Sequence, residues 1–583
     1  MNILFIVVGA VIVYVIAYRT YGTFLAKKVF QLNDARRTPA VEMNDDVDYI
    51  PTEPKFLMGQ HFSAIAAAGP ITGPILAGIM FGWVPALIWI ILGSIFIGGV
   101  HDIGALIASV RHKARSITVV MRENVSRRAW ILFMIFIWIT LVYVIVAFTD
   151  ITASSFVGVV TLDNGQSVGG GAIASSSLLY LALPVIMGFL LRYAKLKLTW
   201  ATFIFLPLVA VAIWGGRYIP LDLTAILHIQ PLAAQKLWDV FILAYCFVAS
   251  ILPMWMLLQP RGHLGGYFLY AALISAAIGV IFGGYKISYP AFTNLSGGAG
   301  KFWFPMFPLL FITVACGACS GFHALVASGT TSKQLKKEGD AKIIGYGSML
   351  LEGLVAVIAL ACVMILAKGD ALAGKAPNFI YASGIGRFLE LIGIPAVFGI
   401  SFGLMAFTTF VYDTLDVCTR LGRYIVEELT GWRGLWGKIF ATAVTAGVPL
   451  FFVLRTGLDA KGIPIPAWKA FWNVFGASNQ LLAGLALIGI TVWLLNTAPH
   501  RKVWIVTLVP AVWMFVMSNW ALMRMVYDGW FKNGTFALTS DPVPYVAVIL
   551  IGLTALMAVE TIRALWRKTS VSKVSIIKES EDR

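Results

Sequence analysis

Apolar stretches of about 20 residues recur from end to end of this chain, and that is the length of helix needed to cross the hydrocarbon of a bilayer. Fifteen can be marked: 2–18, 56–78, 83–110, 129–149, 173–191, 200–216, 238–258, 264–285, 303–328, 343–367, 389–415, 439–454, 470–495, 503–523 and 543–562. The connections between them are mostly short and polar. The pattern predicts an all-α polytopic membrane protein of about 15 transmembrane helices, because a spanning segment must satisfy its own backbone in lipid. Segment 2–18 has no basic start and no cleavage site, and reads as a retained helix. The longest polar connection, Arg19–Lys55, reads as a cytoplasmic loop, and the Gly-rich stretch Asp163–Gly171 as an external one. The charged residues after Leu565 read as a short tail, disordered at its end. The organisation expected is a first helix and loop over 1–55, a ten-helix core over 56–420, further helices over 421–565 and a cytoplasmic tail over 566–583.

One span is interrupted. Residues 59–79 read GQHFSAIAAAGPITGPILAGI, with Gly-Pro pairs at Gly69-Pro70 and Gly73-Pro74. Proline removes a backbone donor and clashes with the carbonyl four residues earlier. Glycine adds dihedral freedom and permits close approach. Polar backbone freed at membrane depth survives only against protein, water, an ion or a ligand. A kink alone is the plainer reading of one proline. Two pairs flanked by Gln60, His61, Ser63 and Thr72 predict an unwound Gly69–Pro74 that lines a binding cavity. Segment 303–328 is interrupted too, at CGACSG, and 238–258 carries Pro253. Either is a candidate inverted partner of 56–78 in a five-plus-five arrangement, the form in which transporters open each repeat with a discontinuous helix.

Composition agrees with the membrane reading: 59% of residues are hydrophobic and 12% charged, with a mean hydropathy of +0.84. A soluble domain keeps about a quarter of its residues charged. The formal charge of +16 could suggest nucleic acid. Its distribution argues for topology instead. With the N-terminus outside and connections alternating, 32 of the 44 Lys and Arg fall on the cytoplasmic side, including Arg111–Arg128 and Lys333–Lys342. The connection Asp150–Gly171 holds none. The expected orientation is N-terminus out and C-terminus in, with the lipid bilayer as partner and no nucleic acid. Cys246, Cys316, Cys319, Cys362 and Cys418 all lie in apolar segments, which argues against a disulfide framework. The CxxC spacing of Cys316 and Cys319 lacks partner ligands, and small residues for close helix packing are the simpler reading.

Ionisable residues within spans are functional candidates by default. Glu352 falls near the middle of 343–367, a depth at which a carboxylate must be protonated, paired or solvated. His101-Asp102 lies towards the inner end of 83–110, where helix orientation is the bland alternative. His323 follows the CGACSG break. Asp413, Asp416 and Arg420 could form an ion pair on one helix face at the interface. Glu390 reads as interfacial.

Several stretches together resemble the carbon starvation protein A family of bacterial inner-membrane transporters. They are HFSAIAAAGPITGP at 61–74, GGVHDIGALIASVRHKARSI at 98–117, LPMWMLLQPRGHL at 252–264, ITVACGACSGFHALVASGTTSKQL at 312–335, MLLEG at 349–353, TLDVCTRLGRY at 414–424 and FGASNQLLAG at 475–484. They run in order over nearly all of the chain. The resemblance implies uptake of small carbon sources, peptides or pyruvate, during carbon starvation, and a leucine-transporter-like inverted-repeat core. It places Asp416, Glu352, His101 and Asp102 in recurring motifs, with Cys319 a departure from the pattern.

Three classes compete on these residues. A secondary transporter needs broken helices and buried polar groups. A membrane enzyme or metal-handling protein needs ligands in helical register, and the seven histidines are scattered with no HxxxH. A channel needs a filter-forming ring. No Walker motif is present, which argues against a nucleotide-driven pump. The reading is a secondary active transporter, not an enzyme, with no cofactor. Its expected substrate-binding residues are Gln60, His61, Ser63, Gly69, Pro70, Thr72, Gly73, Pro74, Gly317, Ser320 and His323. Its expected ion-coupling residues are Glu352, Asp102, Asp416 and His101. The coupling ion is expected to be H⁺, with Glu352 the leading titrating group and His323 or His61 its relay, and Na⁺ is the alternative ion.

Overall fold

The computed structural model describes residues 2–581 apart from 46–48, 162–166, 254, 294–305, 433, 456, 459–463, 499–501, 533–534 and 540; side chains are described to residue 566. The described residues are mostly helical. In chain order the helices are α1 (Ile3–Arg19), α2 (Tyr21–Phe24), α3 (Pro39–Glu42), α4 (Pro54–Ile65), α5 (Gly69–Phe81), α6 (Trp83–Gly93), α7 (Gly99–Arg111), α8 (Ile117–Asn124), α9 (Arg127–Val157), α10 (Gly170–Arg192), α11 (Leu198–Gly216) and α12 (Leu223–Leu227). They continue as α13 (Pro231–Ile251), α14 (Leu258–Phe282), α15 (Met306–Thr313), α16 (Ala315–Ala318), α17 (Phe322–Gly329), α18 (Ser348–Met364), α19 (Pro377–Glu390), α20 (Ala396–Thr430), α21 (Leu435–Leu454), α22 (Ala467–Thr497), α23 (Ile505–Trp530) and α24 (Val543–Glu581).

Thirteen described helical stretches are long and apolar enough to span a membrane, or up to fourteen with the bent pair α4–α5 taken as one span. The remaining expected span, 303–328, is split among α15, α16 and α17, and its residues 303–305 lie outside the described residues. Segment 389–415 is also not as expected. Gly393, at φ 79°, turns the chain between α19 and α20, so a separate 14-residue helix precedes a 35-residue one. α24 carries helical backbone through Glu581 instead of an irregular tail. Asp150 is not a loop residue: α9 continues to Val157, and Asp150 is buried with its carboxylate accepting from the Trp468 amide and from Gln235. The connection after it is a small hairpin, Val159–Thr161 paired with Ser167–Gly169, while Asp163 lies outside the described residues.

Helix ends follow local chemistry. Asn2 caps α1 by accepting from the Leu4 amide at 2.9 Å, and Ser126 caps α9 by accepting from Ala129 at 3.0 Å. Short π-helical turns at Leu25–Val29, Ser94–Gly98 and Lys342–Gly347 interrupt or open otherwise regular spans. Pro253 does not break α13 midway; the helix runs unbroken for 21 residues and stops at Ile251.

Arg19–Lys55, Arg111–Arg128 and Lys333–Lys342 lie together at one end of the bundle, its basic end. The Arg19–Lys55 connection is not a free loop there. Its backbone pairs with the segment after α17: Ile50 donates to the Lys333 carbonyl and Thr52 to Gln334. Glu338, 2% exposed, fastens the clasp by accepting from the Asn33 amide at 3.0 Å and from Arg111 at 3.3 Å.

A candidate site at two broken helices

α4–α5 leaves the basic end and α15–α17 returns to it, and the two broken helices meet at their breaks. The first break is not at Gly69–Pro74. It lies at Ala66–Ala68, where α4 and α5 are bent by 48°. Ala66 takes φ −78° and ψ 66°, outside the helical region. Ala66 is four residues before Pro70, which is where the proline ring displaces a helical carbonyl. Gly69 to Pro74 themselves form the first turns of α5, with Pro70 at a position where a helix tolerates proline.

The glycines serve another purpose. A Cβ at Gly73 would lie 2.5 Å from the Thr313 carbonyl oxygen and 3.1 Å from the Val314 Cα. One at Gly69 would overlap the Cys316 side chain. One at Gly317 would lie 2.7 Å from Ala356, with Pro74 at 3.4 Å and Pro70 at 3.6 Å. The two broken helices therefore touch backbone to backbone. Thr72 is fully buried beside them with its hydroxyl unpartnered. α22 closes the second break. Asn479 Oδ1 accepts from the Phe322 amide at 3.0 Å, Asn479 Nδ2 donates to Ser320 Oγ at 3.0 Å, and the Asn479 carbonyl accepts from Gly321 at 3.0 Å.

Beyond the breaks, two polar clusters are buried. In the first, His323 of α17 stands between two carboxylates. Its Nδ1 lies 2.8 Å from Asp102 Oδ2, and its Nε2 lies 3.1 Å from Glu352 Oε2. His101 Nδ1 is 2.7 Å from the other Asp102 oxygen. All four side chains are 0% exposed. The Glu352 contact has the distance of an ion pair but not the direction of a hydrogen bond, so both Glu352 oxygens keep free lone pairs. His61, 1% exposed, bonds Thr331 Oγ1 through Nδ1 at 2.8 Å and leaves Nε2 unpartnered. The expected residues His101, Asp102, His323 and Glu352 thus come from α7, α17 and α18 to one place. Among the described residues no three His, Cys, Asp or Glu side chains have an arrangement that could hold a metal ion.

The second cluster centres on Arg261 of α14, which is fully buried. Its Nε donates to Asp413 Oδ1 at 2.5 Å, its Nη1 faces Asp416 Oδ2 at 2.6 Å and also donates to the Tyr245 hydroxyl, and its Nη2 donates to the Tyr412 carbonyl at 3.0 Å. Tyr245 donates to Asp416 at 2.9 Å, and Ser63 donates to Asp413 at 2.8 Å. Gly265, one turn after Arg261, leaves room for this: a Cβ there would lie 2.6 Å from Asp413 Oδ2. Asp413 and Asp416 therefore pair with a cation from another helix, not with Arg420 on their own. Arg420 instead donates at 2.7 Å to the Ala249 and Leu252 carbonyls at the end of α13. Arg261, Arg420 and Arg423, counted above as loop charges, are buried in helices.

A cavity of about 540 Å³ opens at the basic end between Arg115, Lys333, Gln334, Val417 and Glu428. A smaller one of about 30 Å³ shares Leu258, Thr330, Gln334 and Val417 with it and reaches Gln60, His61, Thr331, Gly262 and Asp413. Gln60 and His61 face this space, whereas Gly69, Pro70, Gly73, Pro74 and Gly317 stand in the helix contact.

Sequence reasoning missed Arg261, Tyr245, Thr331 and Asn479 as site residues. Arg261 and Asn479 stood in motifs, QPRGH and GASNQ, whose polar residues interrupt apolar runs.

A family model described as carbon starvation protein CstA matches residues 2–380 and 370–521. The peptide transporter CstA of Escherichia coli strain K12 is 30% identical over 92% of this chain and 83% of that protein. The peptide transporter CstA of Helicobacter pylori strain 26695 is 33% identical over 88% and 80%. The pyruvate/proton symporter BtsT of Escherichia coli strain K12 is 30% identical over 89% and 81%. A crystal structure of a manganese transporter from Eremococcus coleocola aligns over 90% of this chain and 98% of that one, at 14% identity and a TM-score of 0.43.

Proposed function

The chain belongs to the carbon starvation protein CstA family, and from that membership we propose that it is a secondary active transporter, not an enzyme, that imports peptides or pyruvate with protons across a bacterial inner membrane. Its N-terminus is outside and the basic end is cytoplasmic, as positive charge concentrates on that side. Relatives named for peptide transport and for pyruvate/proton symport support the substrate class and the ion.

The observation that carries the coupling is His323 held between Asp102 and Glu352, all at 0% exposure. Two carboxylates and an imidazole out of water exchange a proton over short distances, and a proton on any one of them changes its attraction to the other two. Glu352 is the leading titrating group, because it is buried within a span and faces His323 at 3.1 Å. Asp102 and His101 steady His323, and Asp416 is a further acid in the second cluster. Gln60, His61 and Ser63 stand on the cytoplasmic route to the substrate. Gly69, Pro70, Thr72, Gly73, Pro74, Gly317 and Ser320 shape the crossing beside it.

Reconstitution tests this. In proteoliposomes the chain should exchange labelled pyruvate or a labelled dipeptide in counterflow and accumulate it under an inward proton gradient, with or without Na⁺. Glu352→Gln should keep exchange and lose accumulation. Accumulation that follows the Na⁺ gradient instead, or that persists unchanged in Glu352→Gln, would overturn the proton assignment.

A further inference from the structure

Arg261 heads the fully buried side chains by volume, and the import reading gives it no task. A guanidinium is weakly hydrated and planar, and its fork matches a carboxylate. Here all three nitrogens have partners, which are Asp413, Asp416, Tyr245 and the Tyr412 carbonyl. The charges do not balance. Arg261 is the cation that touches both carboxylates, and Arg420, the next nearest, spends its Nη2 on the Ala249 and Leu252 carbonyls, so with both acids ionised Arg261 holds two negative partners away from water. Such a site is completed by a proton or by a further partner. Asp416 Oδ1, buried and without a hydrogen bond, is one place where a proton can sit. Asp413 also lines the small cavity, as Gly262 does, so water or a proton arriving from the basic end meets Asp413 with Arg261 behind it.

We propose that Arg261 is the carboxylate receptor for the transported substrate, and that Asp413 and Asp416 occupy its guanidinium until one of them takes a proton. The proposal rests on the import reading above. An aqueous proton adds to a carboxylate oxygen of Asp413 or Asp416. Its attraction to the Arg261 guanidinium, which stays cationic, is weakened, the neutral carboxyl leaves the fork, and the substrate carboxylate takes the N–H groups released. One proton and one carboxylate enter together, so the charge of the cluster is the same before and after. On release the proton returns to water and the aspartate regains the guanidinium.

The groups facing these two acids are Arg261 from α14, Tyr245 and Cys246 from α13, Tyr180 from α10, Tyr412 and Arg420 from α20, and His61 across the cavity. Arg261 alone among them both reaches the two acids directly and presents the fork that a carboxylate fits.

The test uses the full chain in proteoliposomes and equilibrium binding of labelled pyruvate, of dialanine and of dialanine amide at acidic and at neutral pH. Wild type should bind pyruvate or dialanine more tightly at acidic pH, and the amide roughly 10- to 100-fold more weakly than dialanine if dialanine is the substrate. Asp416→Asn should bind with less pH dependence than wild type. Arg261→Lys should weaken binding by at least about tenfold, since it keeps the charge and loses the fork. Should that variant unfold, Arg261→Gln with Asp413→Asn and Asp416→Asn leaves no buried charge unpaired. That triple variant should fold, shown by its thermal unfolding, and bind no carboxylate probe. Wild-type affinity in the folded triple variant, or full pH dependence in both Asp416→Asn and Asp413→Asn, overturns the proposal while leaving the import reading standing. Absence of binding and counterflow for every probe in wild type would instead remove the import reading.

Discussion

Replacing Gly73 by alanine adds one methyl group at the crossing of the broken helices. The added Cβ would start 2.5 Å from the Thr313 carbonyl oxygen and 3.1 Å from the Val314 Cα. Carbon and oxygen settle no closer than about 3.3 Å even in favourable C–H···O contacts. The two backbones must therefore part by about 0.8 Å, and neither obstacle is a side chain that can rotate away. Overpacking of this kind costs about 1–3 kcal/mol in a well-packed core. A displacement near 1 Å at a positioning element costs about a hundredfold in rate. Gly9→Ala and Gly552→Ala are the controls. Nothing lies within 4 Å of a Cβ at either position, and alanine there should favour the helix by up to about 1 kcal/mol. The assay pairs thermal unfolding in detergent with initial uptake in proteoliposomes. Gly73→Ala should unfold earlier than wild type and transport far more slowly, and Gly73→Leu should abolish transport while still inserting. If Gly73→Ala matches the two controls in both stability and uptake, the backbone contact is not what the glycine is for.

Three further outcomes follow from the same geometry. A cysteine placed at the exposed Ser167 should react with a membrane-impermeant maleimide in intact cells; reaction only after permeabilisation would reverse the orientation of every span. Glu338→Gln should loosen the clasp over the basic end, seen as faster amide hydrogen exchange across 31–54, because a buried carboxylate shared by Arg111 and the Asn33 amide is lost; unchanged exchange would show that the backbone pairing alone holds it. Asn479→Ala strips partners from Phe322 N and Ser320 and should cost about 1–3 kcal/mol, read as a lower midpoint of thermal unfolding; an unchanged midpoint would mean that water replaces the side chain.

Much of the architecture was legible because lipid permits so few backbone solutions. Periodic apolar runs located the spans, and the doubled Gly-Pro located a broken one. The exact break was not legible: Ala66, Ala67 and Ala68 are good helix formers, and they unwind because of a ring four residues downstream. Glu352 could be placed at depth by counting helical rise. That His323 would come between it and Asp102 could not, since those partners are 29 and 221 residues away in the chain. Arg261 was hidden by its position: a cation just past an apolar run reads as a loop charge until α14 is seen to begin at Leu258 and bury it. α19 escaped because a helix of 14 residues, too short to span and carrying Asn378 and Arg387, falls almost wholly in the connection between the apolar runs 343–367 and 389–415.

The crossing at Gly69, Gly73 and Gly317 has a mechanical consequence. Side chains between two helices act as a cushion that can slip by one rotamer at a time, and here only Cys316 lies against Gly69 while Gly73 meets backbone. α5 and α16 are joined like a weld, so a change of access must carry both as one block. Compliance then falls where the neighbouring spans already depart from α geometry, at the π-helical turns Ser94–Gly98 and Lys342–Gly347. Both touch the block's surroundings: a Cβ at Gly93 or Gly98 would strike Ala318 at the end of α16, and Gly345 lies against Ile103 of α7. A π turn can shed or regain one residue of register without breaking its helix. The protein thus places a backbone-to-backbone joint beside two turns that depart from α geometry, so a change of register in those turns would displace the broken pair together.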